Sequence, residues 1–191
     1  MFASWIFIAA FSGIFSNASN FFSRLIVKEE NDAAAMAWWF ELSRLVFFAG
    51  LAFFSFSLQV SLFTIGFLTL MGLMEFGSSY IYMKMHQYTH LSISTIISRT
   101  RLIWTPIIAY IFLAEHMHFN VYVGIAILFV GLVIATSPKK IATDKSMIFA
   151  YVSAFVISVI SIMIKVGTNY ASPSAEIMFL AFPSVLLFPL T

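Results

Sequence analysis

A chain of 191 residues that is 61% hydrophobic and 9% charged has too few polar side chains to cover a soluble surface, since soluble domains carry about 25% charged residues. The mean hydropathy of +0.98 agrees, and the class that follows is integral membrane. A net charge of +2 is too small to indicate a nucleic-acid partner, and the absence of cysteine removes disulfides, thiolate metal sites and cysteine nucleophiles.

A helix that crosses a membrane needs about 20 mostly apolar residues. The first such stretch runs near 3–27 and stops at the polar cluster 28–32. The second covers 33–55, and a short polar break at Ser55, Gln59 and Ser61 leads into a third near 60–84. The cluster 84–90 precedes a fourth near 91–114, and 115–120 is a tight connection to a fifth near 121–137. The longer linker "SPKKIATDKS", 137–146, precedes a sixth near 147–169; after Pro173 a seventh runs to Thr191. Short connections make consecutive helices antiparallel neighbours in a bundle. The alternation of a membrane barrel is absent, so the fold class is all-α, a polytopic transmembrane helix bundle. A cleaved signal peptide is disfavoured, because no basic residue precedes the apolar run at 5–10. The seventh span has Pro183 and Pro189 but no flanking charge, which reads as a fragment of a longer protein.

Polar residues inside these spans are the candidates for function. In "FSGIFSNASNFFSRL", Ser12, Gly13, Ser16, Asn17, Ser19, Asn20, Ser23 and Arg24 fall within an arc of roughly 160° on a helix. Phenylalanines, isoleucine and alanine occupy the other side. Small residues alone would suit close helix packing; Asn17, Asn20 and Arg24 favour a hydrated wall. In the second span Trp38, Glu41 and Arg44 follow one another at spacings of three, on one face. Glu41 and Arg44 form either a self-neutralising pair or part of a water path, and Trp38 and Trp39 suit an interfacial anchor or a pocket wall. Glu75 in the third span has no charged residue within one turn. It requires a basic partner on another helix, access to water, or a proton. Arg99 and Arg101 in the fourth lie about 200° apart on a continuous helix, so they do not share a face, and at least one snorkels or meets Glu41 or Glu75. Pro106 can kink that helix. Lys165, near the end of the sixth, is placed to snorkel. His86, His90, His116 and His118 sit at helix ends or in loops and read as solvated; no acid or cysteine cluster supports a metal site. Nucleophile-elbow, phosphate-loop and HExxH patterns are missing, so no cofactor, metal or enzyme activity is expected. The 23 phenylalanines serve as lipid-facing and core bulk.

Residues 77–138, "GSSYIYMKMHQYTHLSISTIISRTRLIWTPIIAYIFLAEHMHFNVYVGIAILFVGLVIATSP", carry a familiar order of motifs. The stretch 82–88 with Ser92 resembles "y-x-A-L-x-Y-x-s"; Pro106 and Leu113-Ala114-Glu115 resemble a mid-span proline closed by "L-G-E"; 124–133 resembles "G-x-x-L-I-x-x-G-V"; and Arg44 stands where an arginine is often found. The chain thus resembles the EamA type of the drug/metabolite transporter superfamily. Ala114 departs from the usual glycine. The resemblance implies ten helices in two inverted five-helix halves, of which seven spans are present: 1–138 a first repeat, 139–146 a linker, and 147–191 the first two helices of an incomplete second repeat. A shift that places Ala9 on Ala150 also aligns Ser12, Ala34, Ser43, Leu45 and Phe47 with identical residues and Arg24 with Lys165, a match close to chance.

Inverted repeats place a substrate site near mid-membrane between the halves. The substrate-cavity residues expected are Asn17, Asn20, Trp38, Glu41, Arg44, Glu75 and Arg101. The resemblance implies transport, with export favoured, of a small polar or amphipathic metabolite by alternating access in the plasma or inner membrane. The expected partners are the solute and the bilayer, and a homodimer is compatible with the sequence. Two rivals stand beside it: a non-transporting assembly, receptor-like protein or inactive fragment, and an intramembrane enzyme, for which no acid–base or metal constellation appears. Arg24, Lys28, Lys84, Lys139, Lys140 and Lys145 share one membrane side. The positive-inside rule puts that side in the cytoplasm and the N-terminus outside, whereas the resemblance implies a cytoplasmic N-terminus.

Overall fold

The computed structural model describes residues 2–88, 97–115, 118–135 and 147–190. The linker 137–146, His90, Ser92 and His116 lie outside the described residues, and so does the side chain of Asn17. Within them the chain is helical: α1 (Phe2–Glu30), α2 (Ala33–Ser55), α3 (Leu62–Tyr88), α4 (Arg101–Leu113), α5 (Phe119–Ala135), α6 (Met147–Gly167) and α7 (Pro173–Leu187), closed by a 3-10 turn (Phe188–Leu190). Of these, α2, α3 and α6 are long and apolar enough to cross a membrane, while α4, the first part of α5, and α7 are shorter apolar helices.

Local chemistry sets the boundaries. The chain leaves α1 through Asn31 at φ 55, a left-handed conformation that asparagine tolerates. Asp32 then caps α2, its carboxylate accepting from the backbone N–H of Ala34 at 3.0 Å and Ala35 at 2.9 Å. Ser172 caps α7 by accepting from Ala175, and Pro173 opens that helix where no backbone donor is needed. α4 ends at Ala114, again left-handed with φ 51. Pro106 is buried within α4, and the helix runs on to Leu113.

The expected fourth span is shorter than its hydropathy suggests. Residues 97–98 are helical, 99–100 form a turn, and α4 starts only at Arg101. A turn breaks the 100° per residue relation, so Arg99 and Arg101 are not held on opposite faces.

α7 packs against both α2 and α3, α6 against α3 and α4, and α1 against α3 and α2. Leu68, Met71, Ile160, Ala171, Ala175 and Leu180 form the main apolar core where α3, α6 and α7 meet. The α3–α7 approach requires glycine at 72: a Cβ there would lie 2.5 Å from Pro183 Cγ and 3.0 Å from the Phe179 carbonyl. None of the described side chains of α5 is buried.

One end of the bundle is tied by backbone. The α2–α3 and α6–α7 connections run side by side, with a bridge between Leu58 and Ala171. Gln59 donates to the Tyr170 carbonyl and Ser172 to the Ser57 carbonyl, both at 2.8 Å. The hydroxyls of Ser55 and Ser174 meet at 3.0 Å. Beside this tie Lys165 pairs with Glu115 at 2.5 Å, so Lys165 reaches an acid across the α4 terminus rather than simply snorkelling.

Candidate functional site

The polar arc of α1 and one stripe of α3 face each other. On α3, Glu75, Ser78, Ser79 and Tyr82 recur at helical spacing and so share a face. Between them, α2, α6 and α7 lies a cavity of about 440 Å³. Ser16, Ser19, Asn20 and Ser23 of α1 line it, with Glu75, Ser78, Ser79 and Tyr82 of α3, Arg44 of α2 and Arg101 at the start of α4. α6 and α7 contribute Ile157, Ile160, Ile164, Ile177 and Leu180 with Ser161, and Phe40 and Phe48 flank Arg44 on α2. The α1–α3 wall is therefore hydroxyl-rich and ionic and the α6–α7 wall mainly aliphatic, a division that suits a pocket that orients an amphipathic ligand.

Arg44 organises the ionic wall. One guanidinium nitrogen hydrogen-bonds Glu75 Oε1 at 2.6 Å, and another pairs with Glu41 Oε2 at 2.8 Å. The Ser79 hydroxyl donates to the remaining oxygen of Glu41. Glu41 is fully buried behind Arg44 and is absent from the cavity lining; Glu75 and Arg44 keep a partial exposure that faces it. Glu75 therefore finds its basic partner on a neighbouring helix, and that partner is Arg44 rather than Arg101. A second polar contact ties α1 to α3 within the polar wall: the Tyr82 hydroxyl donates to Asn20 Oδ1 at 2.6 Å.

A smaller hollow of about 50 Å³ adjoins the first. The two share Ser16, Asn20, Tyr82, Arg101 and Ile157, and the smaller adds His86, Ser98 and Arg99. Arg99 and Arg101 thus meet at one site, contrary to the expectation from an unbroken helix. His86 corrects another expectation. It is 1% exposed rather than solvated, because α3 continues past residue 84 and carries its ring edge-on against Tyr82, centroids 4.6 Å apart.

Of the expected cavity residues, Asn20, Arg44, Glu75 and Arg101 line the cavity and Glu41 supports it from behind. Trp38 lies elsewhere. Its indole N–H donates to the Val185 carbonyl at 3.0 Å, and it lines a separate hollow with Asp32, Phe188 and Pro189. The sequence reading missed Tyr82 as a wall residue, together with Ser78 and Ser79. Their spacing from Glu75 was the available signal. It also missed Glu176, whose buried carboxyl lies against Gly167. Among the described residues no three His, Asp or Glu side chains come together as a metal set.

No curated protein and no solved structure matches the chain. The family of EamA-like transporters matches residues 3–137. That match takes in well over half of the chain and the helices that build both the ionic and the hydroxyl-rich walls; the protein belongs to the EamA-like transporter family.

Proposed function

We propose that the protein is a multi-pass transporter of the plasma or inner membrane. It moves a small polar or amphipathic metabolite by alternating access, in the export direction. The observation that carries this reading is the cavity of about 440 Å³, with an ionic and hydroxyl-rich wall facing an aliphatic one. Such a site binds a solute by many weak contacts and can release it again. No bond need be made or broken. Ionisable groups inside membrane spans are costly and are retained where they face a cavity or one another, which is the situation of Arg44, Glu75 and Glu41.

In this reading residues 1–138 form one five-helix repeat, 139–146 a linker, and 147–191 the opening of a second. The paired starts of α2 and α7 support it. Each follows a long helix, and each is opened by a side-chain cap, Asp32 in one and Ser172 in the other. The cavity residues proposed are Asn17, Asn20, Arg44, Glu75 and Arg101, with Glu41 as the residue that positions Arg44.

The test is flux through the purified protein reconstituted in liposomes, across a panel of labelled metabolites. Glu75→Gln and Glu41→Gln, made separately, are each expected to remove most of the flux of whichever solute the wild type carries. Undiminished flux in both variants would remove the ionic wall from the mechanism.

A further inference from the structure

The smaller hollow has a chemistry of its own. Among the described residues no carboxylate lines it, while Arg101, Arg99, Ser16, Ser98, Asn20 and Tyr82 do. Nearly all of these present donors. Tyr82 takes the carbonyl oxygen of Asn20, which leaves the amide N–H groups of Asn20 for a ligand. His86 lines the same space, is 1% exposed, and among the described residues neither ring nitrogen has a hydrogen-bond partner. Four of the chain's acids are engaged away from Arg101. Glu41 and Glu75 hold Arg44, Asp32 caps α2, and Glu115 pairs with Lys165. A volume of about 50 Å³ admits one small charged group and little more. Through the lining residues they share, it opens on the larger cavity and its aliphatic wall.

On the transporter reading, we propose that the cargo is an amphipathic organic anion. Its carboxylate or comparable oxyanion sits in the small hollow against Arg101, and its apolar body lies along Ile157, Ile160, Ile164 and Leu180 in the large one. Arg101 supplies the forked donor that suits an oxyanion. Arg44 is not the anion site, because its charge is already met by two carboxylates. A cationic cargo would have to displace Arg44 from Glu75 and would gain nothing from the second hollow. Arg24, Lys28 and Lys84 stand toward the same end of the bundle and raise the local concentration of anions there.

The experiment uses the full chain in phosphatidylcholine nanodiscs, titrated by fluorescence with 2-naphthoate, the neutral 2-naphthylmethanol and the cationic 2-naphthylmethylammonium. Naphthoate is expected to bind about tenfold or more tighter than the alcohol. Arg101→Gln should erase that preference, and Arg101→Lys should retain part of it. Equal binding of anion and alcohol by the wild type overturns the proposal without any variant, and so does a preference that survives Arg101→Gln. A parallel titration in nanodiscs containing phosphatidate separates a solute from a lipid headgroup. Naphthoate binding unchanged by phosphatidate supports a solute site, and its loss overturns the cargo assignment. Failure of transport is distinguishable. Anion preference without naphthoate flux in liposomes keeps the site and counts against the transporter, whereas flux of the ammonium compound without anion preference keeps the transporter and overturns the site.

Discussion

Glu41 and Glu176 are both fully buried carboxylates on helices of the same bundle, yet their surroundings differ in kind. Glu41 is held by Arg44 at 2.8 Å and by the Ser79 hydroxyl, and Arg44 goes on to Glu75. Among the described residues Glu176 has no hydrogen-bond partner on either oxygen; its space exists because Gly167, at the end of α6, has no side chain. Its place in the first turn of α7 favours negative charge, but the adjoining C-terminal turn of α6 opposes it. Burial alone therefore does not identify an acid whose charge matters. Glu41 matters through its charge, because a cation and a donor are arranged around it. The Glu176 carboxyl meets neither among the described residues, and its shape is what the packing uses.

The largest effect expected is from Arg44→Leu. It leaves Glu41 buried without its cation and Glu75 without its partner, and breaking a buried pair on one side costs about 3–5 kcal/mol. Reversible unfolding in mixed micelles should show a loss of that size. Neutralising both acids in the same chain, as Arg44→Leu with Glu41→Gln and Glu75→Gln, should recover most of it. A triple variant no more stable than the single one would mean that Arg44 acts by packing, and the contrast with Glu176 would lose its basis. Next comes Glu41→Gln alone. It removes a charged acceptor from Arg44 and Ser79 while Glu75 remains, with an expected cost of about 1.5–3 kcal/mol in the same measurement.

The contrast also shows what a sequence can carry. Six of the seven helices fall where hydropathy puts them, within a few residues, because the bilayer fixes the length of an apolar run, while α4 begins only at Arg101. Arg44 and Glu41 pair as their spacing of three requires. The polar arc of α1 does reach the cavity through Ser16, Ser19, Asn20 and Ser23. The partner of Glu75 was legible only as a need, since helix-to-helix register is set by packing such as the Gly72–Pro183 approach and leaves no mark in periodicity. The meeting of Arg99 with Arg101 depends on a turn at 99–100 inside an apolar stretch. Hydropathy averages over such a turn. Glu176 was passed over because it sits beside Pro173 and Ser174, where an acid looks like an ordinary helix start. Its burial comes from α6, through a glycine some way back in the chain.

Two smaller effects probe the Glu176 side. In Gly167→Ala the new methyl group would lie 2.7 Å from Cδ of Glu176 and closer still to one of its oxygens, and overpacking of this kind costs about 1–3 kcal/mol. The end of a glutamate side chain can move, so the low part of that range is expected. Glu176→Ala should relieve the clash, making the double variant more stable than Gly167→Ala alone. The smallest effect expected is that of Glu176→Gln, which keeps the shape and removes the charge. With no cation or donor among the described residues to lose, unfolding should shift by no more than about 0.5 kcal/mol, against the larger loss from Glu41→Gln. The same substitution at two equally buried positions then separates charge from burial. Equal losses at both would show that Glu176 has an ionic partner in the working protein, and the distinction between the two acids would collapse.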